Sequence, residues 1–157
     1  MLRISKLTDY ATVILAQLAE DGAGMCTAVE LAELTGVGLP TASKVLKELQ
    51  RGGLVTSTRG AHGGYTLARP ASAISAVDII DAVEGPMGLT ECATHPGQCG
   101  LEPSCRVGRS WQRVNVAIRR ALADVKLTQL IGRDPAPVPA ADLAIVLGRR
   151  PGLRVRT

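Results

Sequence analysis

The chain has almost no aromatic rings: its 157 residues hold no Phe, one Trp and two Tyr. Its core must therefore be built from Ala, Leu, Val and Ile, which favours close helix packing and excludes a reader of single strands that stacks bases on rings. Positive charge is missing from one whole segment, since residues 71–105 contain no Lys or Arg against five acids. No stretch approaches the roughly 18 apolar residues of a membrane span. Asp9 interrupts the opening stretch, where a secretory signal would keep an unbroken apolar run. These absences lead to the expectation of a cytoplasmic protein without a membrane partner. In that compartment thiols stay reduced, so cysteines serve as ligands or switches rather than as disulfides. Also lacking are a nucleophile with its base, a phosphate-binding glycine loop ahead of a helix, and paired carboxylates, so the chain does not read as an enzyme.

What the chain does contain is strongly segregated. Residues 40–70 carry five Lys or Arg and one Glu, and from Arg106 onward there are eleven basic residues and three acids. The net charge of +4 is thus a basic middle and a basic C-terminal third flanking an acidic segment, a pattern that suits a polyanionic partner.

Inside the acidic segment, Cys92, Cys99 and Cys105 fall within fourteen residues interrupted by Pro96, Gly97, Gly100 and Pro103. Three soft thiolates on a loop of helix breakers can converge on one metal centre. An iron-sulfur cluster is the first reading. Zinc is the second, although its sites normally show paired short Cys spacings and a fourth Cys or His, whereas this loop reads C-x6-C-x5-C. A metal-free thiol switch is the third, and it lacks the neighbouring positive charge that makes a thiol reactive at neutral pH. His95, within the loop, is a local candidate for a further ligand. Cys26 stands apart and reads as a small core residue.

The pattern along the chain is mainly α with a small β-hairpin. Apolar positions with helical period run from Ser5 to Ala19, with Thr8 or Ser5 as N-cap. Thr27 and Glu30 form a capping box ahead of a short helix, Ala28 to Leu34. A turn at 35–38 leads to a helix over Thr41 to Arg51 that buries Val45, Leu46 and Leu49. Helix, tight turn and helix make a helix-turn-helix, and Leu54–Thr58, the glycine-rich tip 59–64 and Tyr65–Ala68 add a wing. Ser75 caps a helix from Ala76 to Val83. After Cys105, Trp111, Val114, Ile118, Ala121 and Val125 repeat at three- and four-residue spacing. The expected organisation is a winged helix-turn-helix head over residues 1–84, a cysteine loop over 85–108, a long dimerisation helix over 109–131 and a Pro-, Ala- and Arg-rich flexible tail over 132–157.

On such a head the N-terminal residues of the recognition helix, Thr41, Ser43 and Lys44, face base edges in the major groove. Lys47 and Arg51 meet phosphates. Arg59 at the wing tip suits a narrow minor groove, His62 adds a phosphate contact, and Tyr65 anchors the wing. The helix cations alone would equally suit a solvated face; the glycine-rich wing beside them favours double-stranded DNA. One head reads half a site, so a homodimer follows, and the apolar seam of the 109–131 helix can pair two copies or pack onto its own head.

These residues resemble the winged-helix iron-sulfur transcription regulators typified by IscR, NsrR and RirA, and most of all the regulators of SUF cluster-assembly genes. The likeness covers Leu2 to about Ile131 and rests on Leu7-Thr8-Asp9-Tyr10-Ala11, Leu54-Val55, Arg59 to Tyr65, Glu91-Cys92, the three-cysteine loop and Trp111. It implies a homodimeric repressor whose affinity for a palindromic operator is controlled by a labile [2Fe-2S] or [4Fe-4S] cluster. Cys92, Cys99 and Cys105 carry over as its ligands. IscR-type relatives place a His three residues after the third cysteine, where this chain has Gly108. NsrR-type relatives use an aspartate of the first helix, across the dimer, and Asp9 occupies that place. Asp9 or His95 is thus the implied fourth ligand.

Overall fold

The computed structural model describes residues 4–20, 24–60, 62–90 and 105–133. Helix α1 (Lys6–Leu18) begins at Ser5, whose hydroxyl accepts the Thr8 amide at 3.3 Å, which settles the N-cap on Ser5. It buries Ala11, Ile14, Leu15 and Leu18. Its last turn is capped from far along the chain, because Arg133 donates to the Ala19 carbonyl at 2.7 Å.

The capping box opens α2 (Ala28–Thr35), and Gly36 ends it in the left-handed conformation at φ 72°. Helix α3 (Leu39–Arg51) begins one residue ahead of Pro40, the residue suited to a first helical position, and two ahead of Thr41. Gly38 takes the N-cap position and Pro40 fits inside the first turn, where its missing N–H is no loss. The helix buries Ala42, Val45, Leu46 and Leu49. Its C-terminus lies directly on the next helical layer, where a Cβ at Gly52 would come within 2.5 Å of the Ala82 Cβ.

Strands β1 (Val55–Thr58) and β2 (Gly64–Leu67) pair antiparallel, Val55 opposite Leu67 and Thr58 opposite Gly64. The wing gains a third partner that the sequence did not reveal. Cys26 and Tyr65 exchange both backbone hydrogen bonds, at 3.1 and 2.7 Å, so the segment before α2 extends the sheet. Cys26 is accordingly half-buried, and burial followed by the nearby Glu30 charge pushes its thiol pKa up. A 3-10 turn, Ala71–Ala73, leads to α4 (Ala76–Glu84), which Ser75 and Asp78 open with a second capping box.

The expected single helix over 109–131 is corrected to two pieces, α5 (Gly108–Asp124) and α6 (Leu127–Leu130). The break has a clear cause. Val125 is extended, its carbonyl accepts the Ala76 amide at 2.9 Å, and the Leu127 amide donates to the Ile74 carbonyl at 2.8 Å. These bonds lay residues 125–127 along the start of α4, and Leu127 enters the core fully buried beside Ile14, Leu15, Leu46, Leu49 and Ile79. The head is therefore closed by a segment from beyond α5. The expected tail lies beyond the described residues except for its first two.

Candidate functional site

The exposed side of α3 and the wing form one polar surface. Lys44 and Lys47 are exposed on α3, with Thr41 and Ser43 partly covered beside them. Between α3, the start of α2 and the wing lies a cleft of about 480 Å³ lined by Thr27, Lys47, Gln50, Ser57, Arg59 and Gly60, among others. Gln50 ties helix to wing by donating to the Ser57 hydroxyl at 2.9 Å, a link that sequence reading missed. Arg59 and His62 are exposed at the wing tip. The tip is tight: a Cβ at Gly63 would lie 2.3 Å from the Thr58 carbonyl oxygen, and one at Gly64 would lie 2.7 Å from that of Cys26. The structure brings Lys47 and Arg59 to one cleft. Arg51 is engaged otherwise, since Glu48 holds it in an ion pair at 2.9 Å on the same helix. Breaking an exposed pair of this kind costs little, so Arg51 stays available to a phosphate.

A second polar cluster, separate from the cleft between α3 and the wing, lies at the last turns of α4. Asp81 binds Arg119 of α5 through both carboxylate oxygens, at 3.0 and 2.6 Å, and also accepts the Met87 amide at 2.9 Å. The carboxylate beside it pushes the Arg119 pKa further up. One turn later Glu84 accepts the Thr8 hydroxyl and, at 3.1 Å, the Ser5 amide, and those bonds hold its carboxyl below the usual carboxylate range. Burial pushes the Asp78 carboxyl up, but Ser75, Arg69 and Lys126 outweigh it and the net shift is downward. Arg119 and Asp81 lie 38 positions apart, and no periodicity in the sequence links them.

Of the cysteine ligand set, Cys92, Cys99 and His95 lie outside the described residues. Cys105 is exposed just ahead of α5, and Asp9 is exposed in the first turn of α1. Among the described residues no three Cys, His, Asp or Glu side chains group together as a metal site. The donor chemistry nevertheless fits an iron-sulfur cluster, whose irons take thiolates and, in some centres, imidazoles. A Cβ at Gly108 would lie 3.5 Å from the Cys105 sulfur, so a side chain at 108 would rest against that thiol. Glycine there provides no donor, and any fourth ligand comes from elsewhere.

Trp111, Val114 and Val116 of α5 are exposed at 46%, 42% and 44%, while Asn115 is buried. An apolar groove of about 230 Å³ also runs between α1, α4 and α5, walled by Ile4, Ile79, Ile80 and Leu122, with Asp9 at its lining. Among the described residues, no helix is long and apolar enough to cross a membrane.

A helix-turn-helix whose basic recognition helix shares a cleft with a glycine-tipped wing defines a winged-helix transcriptional regulator that binds DNA. Residues 4–133 match the Rrf2 family, described as an iron-dependent transcriptional regulator, and the chain belongs to that family. It is 35% identical over 123 residues to Protein aau3 of Rhizobium meliloti, covering 77% of this chain and 75% of that protein. It is 29% identical over 144 residues to the HTH-type transcriptional regulator IscR of Cereibacter sphaeroides, covering 88% and 93% of the two chains. Its fold is similar to that of CymR, the global cysteine regulator of B. subtilis, with TM-score 0.63 and 29% identity over 85% of this chain and 99% of that one. IscR and CymR are, by these descriptions, regulators.

Proposed function

We propose that this chain is a homodimeric repressor of iron-sulfur cluster assembly (SUF) genes, acting in the cytoplasm, whose operator affinity is set by a labile iron-sulfur cluster. Cys92, Cys99 and Cys105 would hold the cluster, with Asp9 or His95 as the fourth ligand. One observation carries the reading. Helix α5 starts three residues after Cys105, and the chain leaving it enters the core of the DNA-binding head at Leu127. A change in the cysteine segment therefore bears directly on the head. When bound, the cluster supplies a centre sensitive to iron and oxidation, whose ligand bonds order the segment. The chain's own part is mechanical: α5 and α4 pass that order to the angle at which two α3 helices meet DNA.

The exposed Trp111 and Val114 support a homodimer, because a single chain leaves this stripe of α5 in water. Lys47 and Arg59 in their shared cleft support phosphate and groove contacts where α3 meets the wing.

A thiol-based reading is favoured by one observation of its own, the exposure of Cys105, together with the likeness to a cysteine regulator. An anaerobic absorption spectrum with iron, sulfide and zinc assays, on the wild type and on Cys99→Ser, separates the readings. Iron and sulfide in stoichiometric amounts, lost in the variant, support the cluster. Zinc without sulfide supports a structural metal, and neither metal supports the thiol switch.

A further inference from the structure

We propose that Asp81 and Arg119 are positioning residues, a joint that couples the cysteine segment to the DNA-binding head. The inference rests on the cluster-gated reading above and adds the route by which the signal travels. The Asp81 carboxylate is shared between two structures that flank the segment. It accepts the Met87 amide, on the chain entering the segment, at 2.9 Å, and it takes the Arg119 fork, on the helix leaving it, at 3.0 and 2.6 Å. Arg119 closes the triangle by reaching the Met87 carbonyl at 3.4 Å. The chain entering the cysteine segment and the body of the helix that follows it thus meet at one ion pair.

From that pair the path to the head is short. Glu84, one turn along α4 from Asp81, holds the Ser5 amide and the Thr8 hydroxyl at the start of α1. The same α4 packs its Ala82 against Gly52 at the end of the recognition helix. A displacement of Met87 therefore reaches α1 and α3 through a single rigid helix of nine residues. The pair is also suited to exchange. Its side chains are 30% and 36% exposed, so water can take over either charge, which a fully buried pair would not permit without a large desolvation cost. A bidentate fork has a defined geometry, so a rotation of α5 breaks it rather than bending it.

The test compares operator affinity of cluster-loaded and cluster-free protein for the full wild-type chain, Asp81→Asn and Arg119→Gln. The DNA probe is the operator recovered by selecting sheared genomic fragments on the wild-type protein. Asn at position 81 keeps an acceptor for Met87 and removes the charge. The expected wild-type ratio of affinities is on the order of tenfold. In both variants it collapses toward one while iron and sulfide content and cluster-free affinity stay at wild-type values. In cluster-free protein, Arg119→Gln also speeds hydrogen exchange at the Met87 amide. A full ratio in both variants overturns the joint. A wild-type protein with no ratio overturns cluster control, and the joint with it, and shows itself before any substitution is made. Should Asp81→Asn fail to fold, Arg119→Lys keeps the charge without the fork; a reduced ratio supports the joint and an unchanged one overturns it.

Discussion

Glu84 and Thr8, 76 positions apart, share a hydrogen bond that fastens the end of α4 to the first turn of α1. The Thr8 hydroxyl, with the Ser5 amide, holds the Glu84 carboxyl below its usual range. A carboxyl with a depressed folded pKa contributes stability that is present above the unfolded value, roughly 4.3 for Glu, and is lost as pH falls through the folded value. Because Glu84 is exposed, solvent screening discounts the gain, and Glu84→Gln should cost only about 0.5 kcal/mol near neutrality, with the difference from wild type shrinking in acid. Denaturant midpoints across that range check it, and a difference constant with pH would remove Glu84 from the acid response.

The wing depends on two close backbone approaches. Gly64→Ala places a Cβ 2.7 Å from the Cys26 carbonyl oxygen, and backbone cannot give way cheaply. The expected cost is about 1–3 kcal/mol, with weaker DNA binding. Gly24→Ala, where a Cβ meets nothing within 4 Å, is the matched control and should behave as wild type. Thermal melts and DNA titration of the pair decide whether the Cys26–Tyr65 bridge supports the wing.

Lys47 and Arg59 line one cleft, and both should contribute to DNA binding whatever the sequence of the fragment. Lys47→Ala should lower affinity across sequences and reduce the salt slope of log K by about 1. Titrations at several salt concentrations give the slope. An unchanged slope would mean that Lys47 faces solvent in the complex.

Leu127 is fully buried although it comes after the long helix. Leu127→Ala should destabilise the head by about 2–5 kcal/mol, measured by urea unfolding. A cost near that of a surface substitution would show that the head folds without the segment beyond α5.

Much of the head was legible because its signals are local. The capping box at Thr27, the cap at Ser75, the glycine-rich turn and the two short strands of the wing depend on residues within a few positions of one another. The start of α3 was legible only to within a residue or two, from Pro40, because Gly38 has no capping side chain to mark it. The misjudged length of α5 had a different origin. The apolar spacing continues smoothly through Val125, and only the pairing of residues 125–127 with the start of α4 ends the helix, a contact that no local pattern encodes. The polar clusters divide in the same way. Lys47 and Arg59 announce themselves by charge and by the glycines around the tip. Asp81 and Arg119 look like ordinary surface charges until the fold brings them together.

The measurement that bears most directly on cluster control is an anaerobic titration of the selected operator with cluster-loaded protein and with the same preparation after its iron has been chelated, at one salt concentration. Two binding curves separated by about tenfold are the expected result. Superimposed curves, with iron and sulfide confirmed in the loaded sample, would contradict it and leave a winged-helix regulator whose DNA binding does not respond to a cluster.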